Sequence, residues 1–232
     1  MVAGLDAATL ASWLIDPDLR WTIHKPDGAA VAPGDLIAEI EGLSRALLTL
    51  ERTALNFIGR LSGVATLTRA YVDAVAGTRA TIVATRKTTP GLRALEKRAV
   101  RLGGGGPHRY SLSDAVLIKD NHIAACGGVA EALRRARAYA GHMMKIEIEV
   151  DTLAQLDEAL AHKADIILLD NFTLPDLRTA VAHAHGAAVL EASGGVSLAN
   201  VRAIAETGVD IISIGALTHS APNFDVGLDA LD

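Results

Sequence analysis

Residues 145–170 read KIEIEVDTLAQLDEALAHKADIILLD. Two apolar runs of strand length, 145–150 and 165–170, flank a stretch at 152–162 with the spacing of a helix. A strand, a helix and a strand in so short a span predict parallel strands joined by a right-handed crossover. The pattern recurs on both sides. ATIVAT (80–85), AVLIK (115–119), AAVLEAS (187–193) and DIISIG (210–215) add four strands. Helical stretches at 129–140, 173–184 and 197–207 separate the later ones, and an amphipathic 91–102 follows the first. Ile, Val and Leu run almost unbroken through these strands, as expected of a sheet covered on both faces. The alternation predicts an α/β fold: an incomplete (β/α) barrel first, a doubly wound open sheet second.

The strand ends share a character. They carry Arg86-Lys87, Lys119, Glu149, Asp170, Ser193-Gly194-Gly195 and Gly215. Parallel strands bring such ends to one rim, where barrels of this kind do their chemistry. Successive backbone N–H groups at Ser193-Gly194-Gly195, before a helix capped by Ser197, could cradle a phosphate or merely make a tight turn. The glycine turn at Gly215 offers a second such place. Glu149 and Asp170, hard oxygen donors, suit Mg2+; the alternative is a structural ion pair or a helix cap, with Asp151 and Asn171 next door. Arg86 offers a planar fork matched to a carboxylate, and Lys87 and Lys119 are compact charges. GGGGPHRY (103–110) sets His108 and Arg109 on a glycine-rich loop. Lys97, Arg98 and Arg101 read as a solvated basic helix face. A phosphosugar and a small polycarboxylate would both suit this rim.

The totals narrow the classes. The chain has 232 residues, half of them hydrophobic, and carries a formal net charge of −5. Acidic balance and scarce aromatics argue against nucleic-acid binding. Its apolar runs are too short to span a membrane. The start, MVAGLDAATLASWLIDPDLR, lacks a basic n-region and carries Asp6 and Asp16, so a cytoplasmic protein is expected. Cys126 is the single cysteine, which excludes an internal disulfide. Before the strands, WTIHKPDGAAVAPGDLIAEIEG (21–42) reads as a small α+β element with turns at Asp27-Gly28 and Pro33-Gly34-Asp35. A long helical pattern starts near Ser44; Gly63 is expected to break it and Gly77 to end it. The domains expected are a partial α+β sandwich-like domain over 1–55, joined by the tail 221–232, and a catalytic barrel over 56–220.

ERTALNFIGRLSGVATLTRAYV, TRKTTPGLR, HRYSLSDAVLIKDNH, EVDTLAQLDEAL, LLDNF, EASGGV and TGVDIISIGALTHSAP resemble the signature segments of the quinolinate phosphoribosyltransferases. The resemblance runs in unbroken order from about Asp27. It implies transfer of a phosphoribosyl group from phosphoribosyl pyrophosphate to quinolinate with decarboxylation, using Mg2+. It implies that Arg52, Thr85, Arg86, Lys87, His108, Arg109 and Lys119 bind quinolinate. Glu149 and Asp170 would hold the metal, and Lys87, Lys119, Glu149 and Asp170 would be catalytic. Ser193, Gly194, Gly195, Ser213 and Gly215 would hold the 5′-phosphate, with His219 near the pyrophosphate. A homodimer with Arg52 supplied in trans is implied as well. Pro107, Ser111 and Ser113 stand where the family has Asn, Gly and Tyr. The family's opening segment, with its Glu-Asp and Gly-Asp-x-Thr signature, has no counterpart, so the chain is expected to begin partway through the small domain. The rival readings are a molybdenum-transport-associated relative, a barrel aldolase with Lys119 as Schiff-base amine, and an inactive shortened paralogue that works through assembly.

Overall fold

The computed structural model of the protein describes residues 1–230. The first elements are α1 (Leu5–Ile15), β1 (Arg20–Ile23), β2 (Ala38–Glu41), α2 (Ser44–Ala74), β3 (Thr81–Val83) and α3 (Arg93–Leu102). There follow β4 (Val116–Ile118), α4 (Asp120–Cys126), α5 (Val129–Tyr139), β5 (Ile146–Val150), α6 (Leu153–Ala161) and β6 (Ile166–Asp170). Last come α7 (Leu174–Ala184), β7 (Val189–Ser193), α8 (Val201–Ala205), β8 (Ile211–Ser213) and α9 (Ala216–His219). All six strands expected after Gly77 are present. The chain forms two compact units: residues 1–70, 87–107 and those from Gly215 onward make one, residues 71–86 and 108–214 the other.

In the first unit β1 and β2 pair antiparallel, Trp21 opposite Ile40. Val2, Leu5, Ala8, Leu19, Leu50, Ala54 and Ile58 form its core. Helix α1 had no counterpart in the sequence reading. It buries only Leu5, Ala8 and Ser12 and leaves Leu10, Trp13 and Leu14 exposed, so its apolar stripe does not mark its packed face.

Helix α2 corrects one expectation. Gly63 does not break it; the helix runs without interruption from Ser44 to Ala74. The glycine answers to packing instead. A Cβ on Gly63 would lie 2.0 Å from the carbonyl oxygen of Pro222, and one on Gly59 would lie 3.1 Å from that of Phe224. The tail also bonds to this seam, since the Phe224 N–H donates to the Gly59 carbonyl at 2.9 Å. On the same helix, Gly103 approaches so closely that its Cβ would meet the Ala65 oxygen at 2.4 Å. Helix propensity therefore loses to close approach of backbone.

In the second unit six parallel strands lie in the order β3-β8-β7-β6-β5-β4. From β4 to β8 each strand is added beside the one before it, and β3 pairs with β8. A doubly wound sheet would reverse direction at a switch point. This one does not, so its crossovers stack their helices on a single face, α5 against α6, α6 against α7, α7 against α8. The arrangement is that of a barrel left open between β3 and β4. Ile82, Ile148, Val150, Ile167, Leu169, Leu190 and Ile212 point under the helices and are at most 2% exposed. Among the described residues no helix is long and apolar enough to cross a membrane.

Gly63→Ala tests the seam. Propensity alone would stabilise the helix by roughly 1 kcal/mol, whereas the overpacked Cβ should destabilise by about 1–3 kcal/mol. We expect thermal unfolding to move down; an upward shift would refute the packing account.

Candidate active site

Strand pairing sorts the strand residues of the second unit onto two faces. Because side chains alternate, Glu147 and Glu149 share the face opposite to Ile146, Ile148 and Val150. Register carries that face across the sheet: Glu149 pairs with Leu168, Asp170 with Ser193, and Val83 with Ser213. The helix-free face therefore carries Glu147, Glu149, Asp170, Glu191, Ser193 and Ser213. Five strands contribute to it if Lys119, one residue past β4, is included.

At the C-terminal ends the contacts are specific. Lys119 Nζ donates to Glu149 Oε2 in a short ion pair. Asp170 Oδ2 accepts from Asn171 Nδ2 at 2.7 Å. Asn171, Gly194 and Gly195 all take positive φ, at 54°, 90° and 60°. A Cβ on Gly194 would fall 2.1 Å from Asn171 Oδ1, so only glycine fits; at Gly195 the same position is open. At Gly195, then, the backbone after β7 can be approached closely, as an anion bound through N–H groups would require. The helix beyond starts later than expected. Ser197 does not cap it: the Ser197 N–H donates to Asn200 Oδ1 at 2.8 Å, and α8 begins only at Val201.

Deeper on this face lies a cluster missing from the sequence reading. His108 Nε2 stands 3.5 Å from Glu147 Oε2 and 3.5 Å from Glu191 Oε2. Both carboxylates are buried, and each Oε1 has no hydrogen-bond partner. The Arg109 N–H donates to His108 Nδ1 at 2.7 Å. Burial opposes charge on the imidazole, but hydrogen bonds and the charges of Glu147 and Glu191 prevail and raise it to about 9. Burial likewise raises the Glu147 carboxyl, against the pull of His108. Both effects describe one extra proton held by the cluster. Period-two alternation in KIEIEV could have exposed Glu147 as a face-mate of Glu149. Glu191 carried no such signal beyond its place inside an apolar strand.

The loop after Arg109 is tied by Asp114, which accepts from the N–H groups of Tyr110 and Ser111 and from Ser111 Oγ, the last at 2.8 Å. Ser113 Oγ joins Ser111 Oγ at 2.6 Å. Serines at 111 and 113 thus build their own turn. Arg109 donates through Nη1 to the Ala115 carbonyl at 3.2 Å; burial first, and then the charge of Arg86, lower its pKa. Thr85 and Arg86 follow β3 in this unit.

The first unit holds Arg52, Lys87, Gly215 and His219. Glu96 organises its loop. Fully buried, it accepts from Arg60 Nε and Nη2 at 3.1 and 2.8 Å and from the Thr89 N–H and Oγ1 at 3.0 and 2.8 Å. Arg60 also donates to the carbonyls of Thr218 and Ala221. Thr218 Oγ1 in turn donates to the Lys87 carbonyl at 2.7 Å. A Cβ on Gly215 would lie 3.0 Å from His219 Nε2 and 3.1 Å from Lys87 Cδ, so these three residues gather closely. Lys97 departs from the solvated-face expectation: it is 3% exposed and donates to the Pro107 carbonyl. Its neighbour Arg98 pairs with Asp6 and Asp27 at 2.7 Å each. Arg52 is exposed on α2, 3.8 Å from Glu51.

Comparison with known proteins agrees with this geometry. The family model "Quinolinate phosphoribosyl transferase, C-terminal domain" matches residues 64–229, and its N-terminal counterpart matches residues 1–62. The nicotinate-nucleotide pyrophosphorylase [carboxylating] of Mycobacterium leprae is 48% identical over 99% of this chain and 82% of its own. A quinolinate phosphoribosyltransferase [decarboxylating] of Nicotiana tabacum is 41% identical over 98% of this chain and 70% of its own. The crystal structure of nicotinate-nucleotide pyrophosphorylase from Ehrlichia chaffeensis superposes with a TM-score of 0.94 at 45% identity, covering 98% of this chain and 83% of that one. On motif order, fold and these matches, the chain belongs to the quinolinate phosphoribosyl transferase family.

Proposed function

We propose that the protein transfers the phosphoribosyl group of phosphoribosyl pyrophosphate to the nitrogen of quinolinate and releases CO2, forming nicotinate mononucleotide and pyrophosphate. One observation carries the reading beyond family membership: a single sheet face bears the Lys119–Glu149 pair and Asp170 beside Ser193, and the Gly194-Gly195 turn follows directly. That is an anion cradle next to carboxylates, as a phosphosugar with ribose hydroxyls requires.

The roles follow from charge and shape. Ser193, Gly194, Gly195, Ser213 and Gly215 take the 5′-phosphate through backbone N–H and hydroxyl donors. Thr85, Arg86, Lys87, Arg109 and, from a second subunit, Arg52 take the two carboxylates of quinolinate; guanidinium forks grip them bidentately. Such a grip aligns the pyridine nitrogen with ribose C1. The N–C1 bond forms as the C1–O bond to pyrophosphate breaks. Lys87, Lys119 and His219 stabilise the departing negative charge. The C2–carboxylate bond then breaks, its electron pair stays at C2 beside the pyridinium nitrogen, and a proton replaces CO2.

Glu149 and Asp170 fit a divalent cation. Register sets both side chains on one face at neighbouring strand ends, and both offer hard oxygens. Mg2+ held there would neutralise charge on the ribose and pyrophosphate oxygens.

The exposed side chains of the first unit favour a homodimer. Leu10, Trp13 and Leu14 on α1 and Leu48 on α2 are each at least 59% exposed, and Leu48 lies one helical turn before Arg52. Apolar side chains left exposed beside an exposed arginine suit a partner that buries the first and receives the second.

Incubation with quinolinate, phosphoribosyl pyrophosphate and Mg2+ should yield nicotinate mononucleotide by mass spectrometry, and chelation should stop it. No product from folded protein would refute the reading. Arg86→Ala should lower kcat/KM for quinolinate by about 100-fold with unfolding unchanged; near-normal turnover would remove the clamp. Mixing inactive Arg52→Ala with inactive Lys119→Ala subunits should restore about a quarter of wild-type activity, since half the dimers then carry one intact site. Failure to complement after confirmed subunit exchange would place Arg52 outside the partner's site.

A further inference from the structure

Lys87 serves both the quinolinate carboxylates and the departing pyrophosphate in the reaction proposed above, yet it sits exposed on a loop. A lysine is a point charge on a flexible stem. It places that charge only where main chain and stem are both held. The first unit supplies the hold from its buried side, through residues to which the reaction gives no part.

Residues 87–89 are each anchored. Thr218 Oγ1 donates to the Lys87 carbonyl at 2.7 Å, Arg93 Nε donates to Thr88 Oγ1 at 3.1 Å, and the Thr89 N–H donates to Glu96 Oε2 at 3.0 Å. The outer anchors form a single assembly. Arg60 donates to Glu96 and also to the Thr218 carbonyl, so the groups that hold Lys87 and Thr89 are tied to each other. Thr218 and Glu96 are fully buried. A threonine in a helix commonly bonds back to its own turn. Thr218 has that acceptor in the Gly215 carbonyl at 3.3 Å, but its shorter bond reaches Lys87, 131 residues away.

The stem is held by the same turn. A Cβ on Gly215 would lie 3.1 Å from Lys87 Cδ, so the stem runs along backbone that a glycine leaves bare. The N–H groups of Thr218 and His219 both donate to the Gly215 carbonyl, at 3.1 and 3.2 Å, which closes the turn. Residues 215–219 therefore grip Lys87 at its carbonyl and along its stem.

We infer that Thr218 is a positioning residue for Lys87: its hydroxyl, braced through Arg60 and Glu96, sets the main chain from which the Lys87 ammonium meets the departing pyrophosphate. Thr218 acts through Lys87 and touches no substrate. The inference rests on the proposed reaction and deepens it.

The test is a double-mutant cycle in the whole chain. Thr218→Val keeps the outline of the side chain and removes the donor; it should lower kcat/KM for phosphoribosyl pyrophosphate about tenfold, the scale of a small misplacement. Thr218→Ser retains the hydroxyl and should stay within about twofold of wild type. In a Lys87→Ala background Thr218→Val should cost nothing further, because the lysine it acts through is gone. A purely structural threonine would cost the same in both backgrounds. Amide exchange at Thr88, whose N–H shares a peptide plane with the Lys87 carbonyl, should quicken in Thr218→Val. Exchange needs no turnover, so the two failures are told apart. A folded wild type that forms no nicotinate mononucleotide would remove the reaction, and the inference with it, even with exchange as expected. Product formation accompanied by equal losses in both backgrounds, by unchanged kinetics of Thr218→Val, or by unchanged Thr88 exchange would overturn the inference alone. Should Thr218→Val not fold, Thr89→Val takes its place in the cycle, since Thr89 is exposed and its Oγ1 bond to Glu96 braces the other end of the assembly. Its loss should likewise vanish in the Lys87→Ala background; an additive loss, or none in either background, would overturn the inference as well.

Discussion

A strand cannot turn two neighbouring side chains to one side, and this constraint underlies the second unit. In β5 it gives Ile146, Ile148 and Val150 to the helices and Glu147 and Glu149 to the opposite face. In β7 it gives Leu190 and Ala192 to the helices and Glu191 and Ser193 to that same opposite face. The two faces do different work. Full burial of a Leu, Ile or Val side chain contributes about 1.5–3 kcal/mol, and seven such residues lie under the helices at 2% exposure or less. That burial offsets the cost of an inner face filled with acids, hydroxyls and a lysine. A slip of one residue in register would exchange the faces and lose both stability and chemistry.

Order along the chain made much of this legible. The strands announced themselves by composition and spacing, and their last residues differ chemically from their interiors. Lys119, Glu149, Asp170 and Ser193 could therefore be picked out without coordinates. Glu147 and Glu191 escaped because they lie inside strands, where an acid resembles an interruption of an apolar run. Their strands are separated by β6, and only the folded chain brings each carboxylate to 3.5 Å from His108 Nε2. Register belongs to three dimensions, and no single stretch of sequence records it.

Glycine and lysine were misjudged for a related reason. Gly63 looked like a helix breaker because propensity is a property of the helix alone. The competing term, the Pro222 carbonyl 2.0 Å from where a Cβ would stand, comes from a segment far along the chain. Lys97 lay in a run of cations and so looked solvated, yet it is buried on the Pro107 carbonyl. Its neighbour Arg98 points elsewhere, to Asp6 and Asp27, since residues adjacent in a helix face different directions. Charge runs are read one residue at a time once the helix has a packed side.

Glu96 raises the opposite question, since a fully buried carboxylate could be taken as a liability. Here it accepts four hydrogen bonds, two from Arg60 and two from Thr89, so its charge and its lone pairs are met together. Arg60 spends its remaining donors on the Thr218 and Ala221 carbonyls. Three segments far apart in sequence, α2, the loop after Lys87 and the start of the tail, are thereby fixed by one ion pair. An apolar pair of equal volume would pack as well and bind none of those backbone groups. Stability alone does not explain a buried pair of this kind; geometric definition of the loop that carries Lys87 does. The unsatisfied oxygens of Glu147 and Glu191 contrast with it.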